Sequence, residues 1–231
     1  MPATVSYRSL SLSSIGRSSY SFTGVDIGPW TPDRYVVVGV GSIANGASSL
    51  AITALTVGGV AATVLRSQTD GNASTSFAAL TISSGSTTST ATIDVTVNSC
   101  ASRMGISVWA VYGVSSTTPS TSNGTSASPG TFALNVTLGS VGAAIAYNNQ
   151  GGTATWTGVT EDFDDGSLGV VITGGSYLAS AAASRTITVT YSTAILRQSM
   201  VSAVWAAQSN FIDEPASKQP PYFPATEMVG Y

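Results

Sequence analysis

The chain has 231 residues, of which 8% are charged and none is histidine. Eight basic residues against eleven acidic ones give a net charge of -3, and the basic residues do not cluster. Nucleic-acid binding and membrane-surface binding both need a basic patch, so neither is predicted. Without histidine a Ser-His-Asp triad cannot form, and the ligands of a zinc site are lacking. We therefore expect no enzyme activity and no cofactor.

Cys100 is the sole cysteine, so no intrachain disulfide can form. This suits folding in a reducing cytoplasm, and we expect Cys100 to be a small buried residue beside a strand. The first residues, MPATVSYRSLSLSS, lack the continuous apolar core of a signal peptide. The most apolar stretches are too short to span a bilayer, so no membrane association is predicted.

The first part of the chain predicts strands separated by tight turns. Residues 1–30 alternate serine with apolar residues and indicate one or two edge strands, ending in a proline-bracketed turn around Trp30. RYVVVGVGS (34–42) is a β-branched run typical of a central strand buried on both faces. The segment 49–67 predicts a hairpin at Gly58-Gly59, because glycine tolerates the positive φ of two-residue turns.

The following segments continue this pattern. TSFAALTIS and TATIDVTVN alternate apolar with polar residues, with Asp94 on the outward face, and MGISVWAVYGV is apolar throughout. Residues 115–130, rich in Ser, Thr, Pro and Gly, predict a surface loop. Six more segments of strand length follow, each closed by a Gly, Asn or Ser turn: TFALNVTLG, GAAIAYNN, TATWTGVTEDFDD, SLGVVITGG, TITVTYS and VSAVWAAQ.

Ten to thirteen short strands without an amphipathic helix predict an all-β fold, an antiparallel β-sandwich of jelly-roll or immunoglobulin-like form. We expect N-terminal edge strands in 1–30, one sandwich domain in 31–210 and an extended arm in 211–231. TVGGVAATV and TLGSVGAAIA resemble each other, which indicates either an internal duplication or a chance match in a chain rich in Gly, Ala and Val.

The composition changes at Phe211, after which four of the nine prolines occur. Proline lacks the N–H that a sheet interior needs, so this segment predicts an extended arm. Such an arm is either disordered or laid across another surface, and its exposed aromatic residues favour the second interpretation because aromatic side chains are typical anchors. The candidate partner-binding residues are therefore Trp30, Tyr222, Phe223 and Tyr231.

One dense acidic cluster follows the predicted strand at Trp156 and comprises Glu161, Asp162, Asp164 and Asp165. Its carboxylates could bind Ca²⁺, although the spacing is not that of an EF-hand. A solvated turn before the strand at Val170 is the favoured interpretation. Paired carboxylates could also serve glycoside hydrolysis, which nothing else in the chain supports.

The tryptophans admit two interpretations. In a lectin-like sandwich they could form a sugar-stacking platform. Trp109, Trp156 and Trp205 lie within apolar strand patterns, however, which favours core packing, whereas Trp30 is expected at the surface.

Five segments carry a resemblance to a known kind of protein: YSFTGVDIG, DRYVVVGVGS, LTVGGVAATV, SRMGISVWAVYGV and GTATWTGVTEDFD. In these, across most of residues 20–205, the chain resembles a β-sandwich module of tailed bacteriophages and prophage-like gene clusters. The resemblance implies a virion structural protein: a head decoration, a head fibre or a tail appendage. It implies capsid or tail proteins and copies of itself as partners. The rival expectation is a carbohydrate-binding module that recognises a host surface glycan.

Overall fold

A computed structural model describes residues 2–44, 50–70, 76–193 and 197–208. In these residues sixteen strands form and every strand pair is antiparallel, which confirms the all-β prediction. No helix in this part of the chain is long and apolar enough to cross a membrane.

The first half of the chain forms one sheet organised around a single 23-residue strand, β8. The N-terminal part of β8 pairs with β2 and β4, and its C-terminal part pairs with β1 and β3. Because β8 belongs to both parts, the sheet folds back on itself and nearly closes like a barrel. The strands are β1 (Thr4–Ser13), β2 (Arg17–Asp26), β3 (Tyr35–Ala44), β4 (Ile52–Val57), β5 (Val60–Ala61), β6 (Thr63–Thr69), β7 (Ser76–Ser83) and β8 (Thr90–Tyr112).

Inward-facing and outward-facing side chains alternate along β8, and the inward-facing ones form the core of this half. Ile93 and Val95 point inward and are buried, whereas Asp94 between them is exposed, as the sequence predicts. The inward side chains pack against alternate valines of β3, including Val38. The hairpin predicted at Gly58-Gly59 is also confirmed, since both glycines adopt a positive φ between β4 and β5.

The second half forms two sheets. The larger has the order β13-β14-β11-β16-β9, and the smaller has the order β10-β15-β12. The two sheets enclose their own core, which includes Trp156 and Ile187. The strands are β9 (Thr121–Thr125), β10 (Gly130–Val136), β11 (Val141–Asn148), β12 (Ala154–Thr157), β13 (Thr160–Asp165), β14 (Val171–Leu178), β15 (Ala183–Tyr191) and β16 (Gln198–Trp205).

The two halves repeat one strand order. The order β1-β8-β3-β7-β6 in the first half matches β9-β16-β11-β14-β13 in the second, and β2-β8-β4 matches β10-β15-β12. In this correspondence the N-terminal part of β8 is equivalent to β15, and its C-terminal part is equivalent to β16. The similar segments TVGGVAATV and TLGSVGAAIA lie at non-equivalent turns, β4–β6 and β10–β11, so the repeat does not depend on their likeness.

The halves pack face to face through β3 and its neighbours on one side and β11, β14 and β16 on the other. β3 therefore lies between two cores, which confirms the prediction of a strand buried on both faces. Glycine permits the close approach. A Cβ added at Gly39 would lie 2.9 Å from Ile145 Cδ1, and one at Gly41 would lie 2.7 Å from the Tyr147 ring.

Several expectations are wrong. Sixteen strands form in the described residues, more than the ten to thirteen expected. Cys100 is an exposed residue within β8 rather than a buried one, because it occupies an outward position near the bend of that strand. The predicted loop 115–130 contains the strand β9, which pairs with β16, and its last residue begins β10. Serine and threonine suit β9 because an edge strand needs no fully buried side chains: all five of its residues are partly exposed.

The pairings also give the molecule two distinct ends. β8 and β16 end side by side, where Val114 forms a bridge with Ala207, and β1 begins beside Tyr112. Both ends of the described chain therefore lie together, and we call this the proximal end. The β2–β3 turn, the β4–β5 turn and the β10–β11 turn lie there too. The opposite, distal end carries the β1–β2 turn and the bend of β8.

Candidate interaction site at the proximal end

Large apolar side chains are exposed mainly at the proximal end. Six such side chains occur among the described residues, and five of them lie at or near the proximal turns. The sixth, Ile15, lies at the distal β1–β2 turn. Contiguous exposed apolar residues mark a contact surface, whereas single ones do not, and of these five Leu138 and Leu178 lie on adjacent turns. The five are Trp30, Val60, Val64, Leu138 and Leu178.

Trp30 is displayed by a turn that a buried arginine holds in place. Arg34 is 2% exposed, and its guanidinium donates to the carbonyl oxygens of Gly28 at 2.7 Å and Thr88 at 2.9 Å, and also to that of Ser86. These bonds tie the β2–β3 turn to the β7–β8 turn. Burial lowers the pKa of Arg34. The tryptophan side chain itself is 49% exposed, which confirms its predicted place at the surface.

Further polar contacts fix the same turn from the other side. The Tyr112 hydroxyl donates to the Pro29 carbonyl at 3.0 Å. Asp26 accepts from the Gly28 amide at 2.8 Å and pairs with the Arg8 guanidinium at 2.7 Å. The turn is thus ordered before any partner arrives, which lowers the entropic cost of binding through Trp30. That Trp30 binds a partner stays a prediction.

Leu138 and Leu178 form the second exposed group and belong to adjacent turns. The Gly139 amide donates to the Ala179 carbonyl, and the Ala179 amide donates to the Ser140 carbonyl, both at 2.8 Å. Leu138 is 69% exposed and Leu178 is 58% exposed, so two aliphatic side chains face solvent on a hydrogen-bonded pair of turns. We call these two side chains the leucine patch.

Two grooves open near this end, and they occupy equivalent positions in the internal repeat. One, of about 330 Å³, lies between β1 and the β13–β14 pair and includes Val5, Tyr177 and Leu178. The other, of about 470 Å³, lies between β6–β7 and the segment before β9 and includes Val64 and Pro119. Each groove lies where an edge strand of one half meets the other half.

The chain leaves the described structure at this end. The Gln208 amide donates to the Gly113 carbonyl at 2.8 Å. The predicted arm 211–231, with the candidate residues Tyr222, Phe223 and Tyr231, lies outside the described residues. Its point of departure is therefore at the proximal end, with Trp30 and the leucine patch.

The other three tryptophans are buried, as the sequence predicts. Trp109 and Trp205 are fully buried and Trp156 is 7% exposed. Each indole N–H has a partner: Asp162 at 2.7 Å, the Thr117 carbonyl at 3.1 Å and the Thr173 hydroxyl at 2.8 Å, respectively. None of them contributes to an exposed sugar-stacking platform.

The acidic cluster is not the predicted turn. Residues 160–165 form β13, which pairs with β14. Its carboxylates have separate partners: Asp162 accepts from Trp109, Asp164 from the Ala154 amide at 2.8 Å, and Asp165 from Ser167. Within the described ranges, no three or more His, Cys, Asp or Glu residues form a group that could hold a metal ion. The calcium interpretation of Glu161, Asp162, Asp164 and Asp165 therefore gains no geometric support.

The burial of Asp162 is expected to make the stability of the fold depend on pH. Burial raises the pKa of Asp162 above the ordinary value of 3.8, and the hydrogen bond from Trp109 only partly opposes this. The folded state then binds a proton more tightly than the unfolded state, so this group lowers stability as the pH rises from 3.8 through the folded-state pKa. Burial raises the pKa of Glu161 and Asp164 in the same direction.

We expect Asp162→Asn to be at least as stable as the wild type at pH 7 and to lose less stability between pH 4 and pH 7. The amide oxygen can still accept from the Trp109 indole, and no charge is desolvated. Urea unfolding at several pH values measures this. Asp94→Asn, on the exposed face of β8, removes the same charge and is the matched control. An unchanged pH dependence in Asp162→Asn contradicts the expectation.

Comparison with known proteins identifies no relative. No protein-family model matches the chain, no curated protein matches it, and no solved structure matches its fold.

Proposed function

We propose that this chain is a non-enzymatic structural protein of a tailed-phage virion, a head decoration or head fibre, attached through its proximal end. The observation that carries the proposal is the concentration of exposed apolar side chains at the end where the arm departs. The assignment to a tailed phage comes from the resemblance noted in the sequence, which no family model, curated protein or solved structure matched.

The distribution of exposed apolar side chains fits a protein that attaches through its proximal end and exposes its distal end to solvent. Five of the six large exposed apolar side chains in the described ranges are proximal. The distal turns 149–153 and 166–169 are built largely from Gly, Ser, Thr, Asn and Gln. An arm combined with a preformed apolar surface would convert several weak contacts into one strong attachment. The partners are then capsid or tail proteins and further copies, with synthesis in the host cytoplasm.

We also propose that each half of the molecule is a jelly roll. The second half has eight strands, the number typical of a jelly roll, whereas a constant-type immunoglobulin domain has seven. In both halves the first strand pairs with the last, as in β1 with β8 and β9 with β16. The repeat of this order favours two jelly rolls joined face to face over one immunoglobulin-like sandwich.

Removing the arm tests the attachment. A chain that ends at residue 210 is expected to fold but to load onto particles about tenfold less or worse, because the anchor is lost. The measurement is the amount of protein that co-sediments with purified particles, beside thermal unfolding to check the fold. Trp30→Ala should also reduce loading, whereas Ile15→Ala, at the distal end, should not. Normal loading of the shortened chain contradicts attachment through the arm.

A carbohydrate-binding module is the second candidate, and one observation favours it. Trp30 is an exposed aromatic side chain on the β2–β3 turn, and the ion pair between Arg8 of β1 and Asp26 of β2 lies next to this turn. Sugars bind through stacking combined with charged hydrogen-bonding groups. Glycan binding that Trp30→Ala abolishes would support this function. A glycan array without binding would remove it and leave the structural role unaffected.

A further inference from the structure

Buried polar side chains close the distal end of the core in the second half. Asn148 of β11 and Gln198 of β16 are register partners, and they are 0% and 1% exposed. They continue the inward-facing rows of their strands, which contain Ala146 and Met200 of the same core. Two polar side chains therefore lie where the alternation of these strands places apolar ones.

Two further polar side chains reach this place from neighbouring strands. Tyr191 of β15, in the smaller sheet, packs against the same core. Asp164 of β13, in the larger sheet, accepts a hydrogen bond from the Ala154 amide at 2.8 Å, and Ala154 is the register partner of Tyr191. Burial and the nearby charge of Asp164 both raise the pKa of Tyr191, so these two side chains are close to each other. We call Asn148, Asp164, Tyr191 and Gln198 the distal polar cluster.

Each member of the distal polar cluster has one buried polar atom without a hydrogen-bond partner among the described residues. The four atoms are Asn148 Nδ2, Asp164 Oδ1, the Tyr191 hydroxyl oxygen and Gln198 Oε1. A buried polar atom that bonds to nothing destabilises the folded state, so such atoms are rare in proteins. Four of them at one end of one core indicate a bound polar ligand.

The first half shows that the fold does not need polar side chains at this end. Asn148 and Ala44 each lie seven residues after the residue that pairs with the buried tryptophan in the last strand of their half. Ala44 pairs with Ala101, and both alanines are buried in the core of the first half. The fold closes the equivalent place with apolar side chains, so the distal polar cluster is a specific feature of the second half.

The orientation of two side-chain amides limits the kind of ligand. Asn148 Oδ1 accepts from the backbone amides of Gln150 at 2.9 Å and Val171 at 3.4 Å, which fixes its Nδ2 as the free donor. Gln198 Nε2 donates to the Ala127 carbonyl, which fixes its Oε1 as the free acceptor. Cations such as Ca²⁺ take oxygen ligands, and the Asn148 N–H would repel them.

The hydrogen-bonding capacity of the four atoms matches that of water. Asn148 Nδ2 and the Tyr191 hydroxyl can donate, whereas Asp164 Oδ1 and Gln198 Oε1 can accept. A water molecule accepts two hydrogen bonds and donates two, and a buried water typically bonds to about two to four polar groups.

We propose that the distal polar cluster binds an ordered water molecule, which joins β11, β13 and β16 to β15 across the core. The water would hold the two sheets of the second half together at the end that carries the turns 149–153 and 166–169. This inference concerns the folded protein alone and does not depend on the proposed function.

A high-resolution crystal structure of the full chain tests the site directly. The expected result is a single density peak about 2.7–3.2 Å from polar atoms of at least three members of the distal polar cluster. Direct hydrogen bonds among the four side chains, with no density between them, would overturn the inference. A peak surrounded by oxygen atoms at about 2.3–2.6 Å would also overturn it, because those distances mark a cation such as Ca²⁺.

Tyr191→Phe tests the site in solution, because the two alternatives predict effects of opposite sign. If the hydroxyl bonds to water, its removal should raise the equilibrium constant for unfolding about fivefold, the usual effect of one lost hydrogen bond. If the hydroxyl bonds to nothing, its removal should leave stability unchanged or increase it, and that result would overturn the inference. Urea unfolding measures the constant, and Tyr35→Phe, which removes a hydroxyl outside the cluster, is the matched control with an expected change of less than about twofold.

Discussion

Trp205→Ala is expected to lower the free energy of unfolding by about 3–5 kcal/mol. Trp205 is fully buried in the core between the two halves, and its indole N–H donates to the Thr117 carbonyl at 3.1 Å. Alanine leaves a cavity between the packed sheets and also leaves that carbonyl without its donor. Urea unfolding, followed by circular dichroism, measures the loss.

Trp30→Ala is the matched control, since it removes the same side chain from a half-exposed position. Its expected effect is within about 0.5 kcal/mol, the usual range for a surface substitution. If Trp205→Ala costs less than about 1 kcal/mol, the halves do not depend on this core for their stability, and the face-to-face packing described above is wrong.

Gly39→Ala is expected to cost about 1–3 kcal/mol, although it adds a single methyl group. The new Cβ would lie 2.6 Å from Ser107 Oγ and 2.9 Å from both Ile145 Cδ1 and the Trp109 ring. Ile145 belongs to the opposing half, so relief of the clash must either separate the sheets or rotate buried side chains. The free energy of unfolding from urea titration is again the measurement.

Gly151→Ala is the control for this substitution, because no atom lies within 4 Å of the added Cβ and Gly151 has no positive φ. It should leave stability unchanged or slightly raised, as replacing glycine by alanine restricts the unfolded chain. Equal stabilities of Gly39→Ala and Gly151→Ala would show that the two halves are not in close contact at β3.

Local features of the fold could be predicted because their cause lies in neighbouring residues. The β-branched run in 34–42 indicates a strand buried on both faces, and β3 is one. The glycine pair at Gly58 and the apolar surroundings of Trp109 likewise determine a turn and a core position without reference to the rest of the chain.

The order of the strands could not be predicted, because it depends on pairings far apart in the sequence. β1 pairs with β8 across about a hundred residues, and no local pattern encodes that choice. One signal of the repeat was available: Met104 and Met200 each precede a buried tryptophan by five residues, and these segments lie in the equivalent last strands of the two halves.

The candidate site was predicted only in part for the same reason. Prolines on both sides of Trp30 indicate an exposed turn residue, and that position is confirmed. Leu138 and Leu178 are forty residues apart and join only because the β10–β11 and β14–β15 turns are hydrogen-bonded to each other. The acidic residues were assigned to a turn because charge suggests solvent, whereas Asp162 is held inward by the Trp109 indole.

The most direct test of a virion role is quantitative mass spectrometry of purified phage particles from a strain that carries this gene. The proposal predicts that the protein is present in many copies per particle, in a fixed ratio to the major capsid protein. Its absence from particles that are otherwise complete would contradict a structural role in the virion and would make the glycan-binding function the leading candidate.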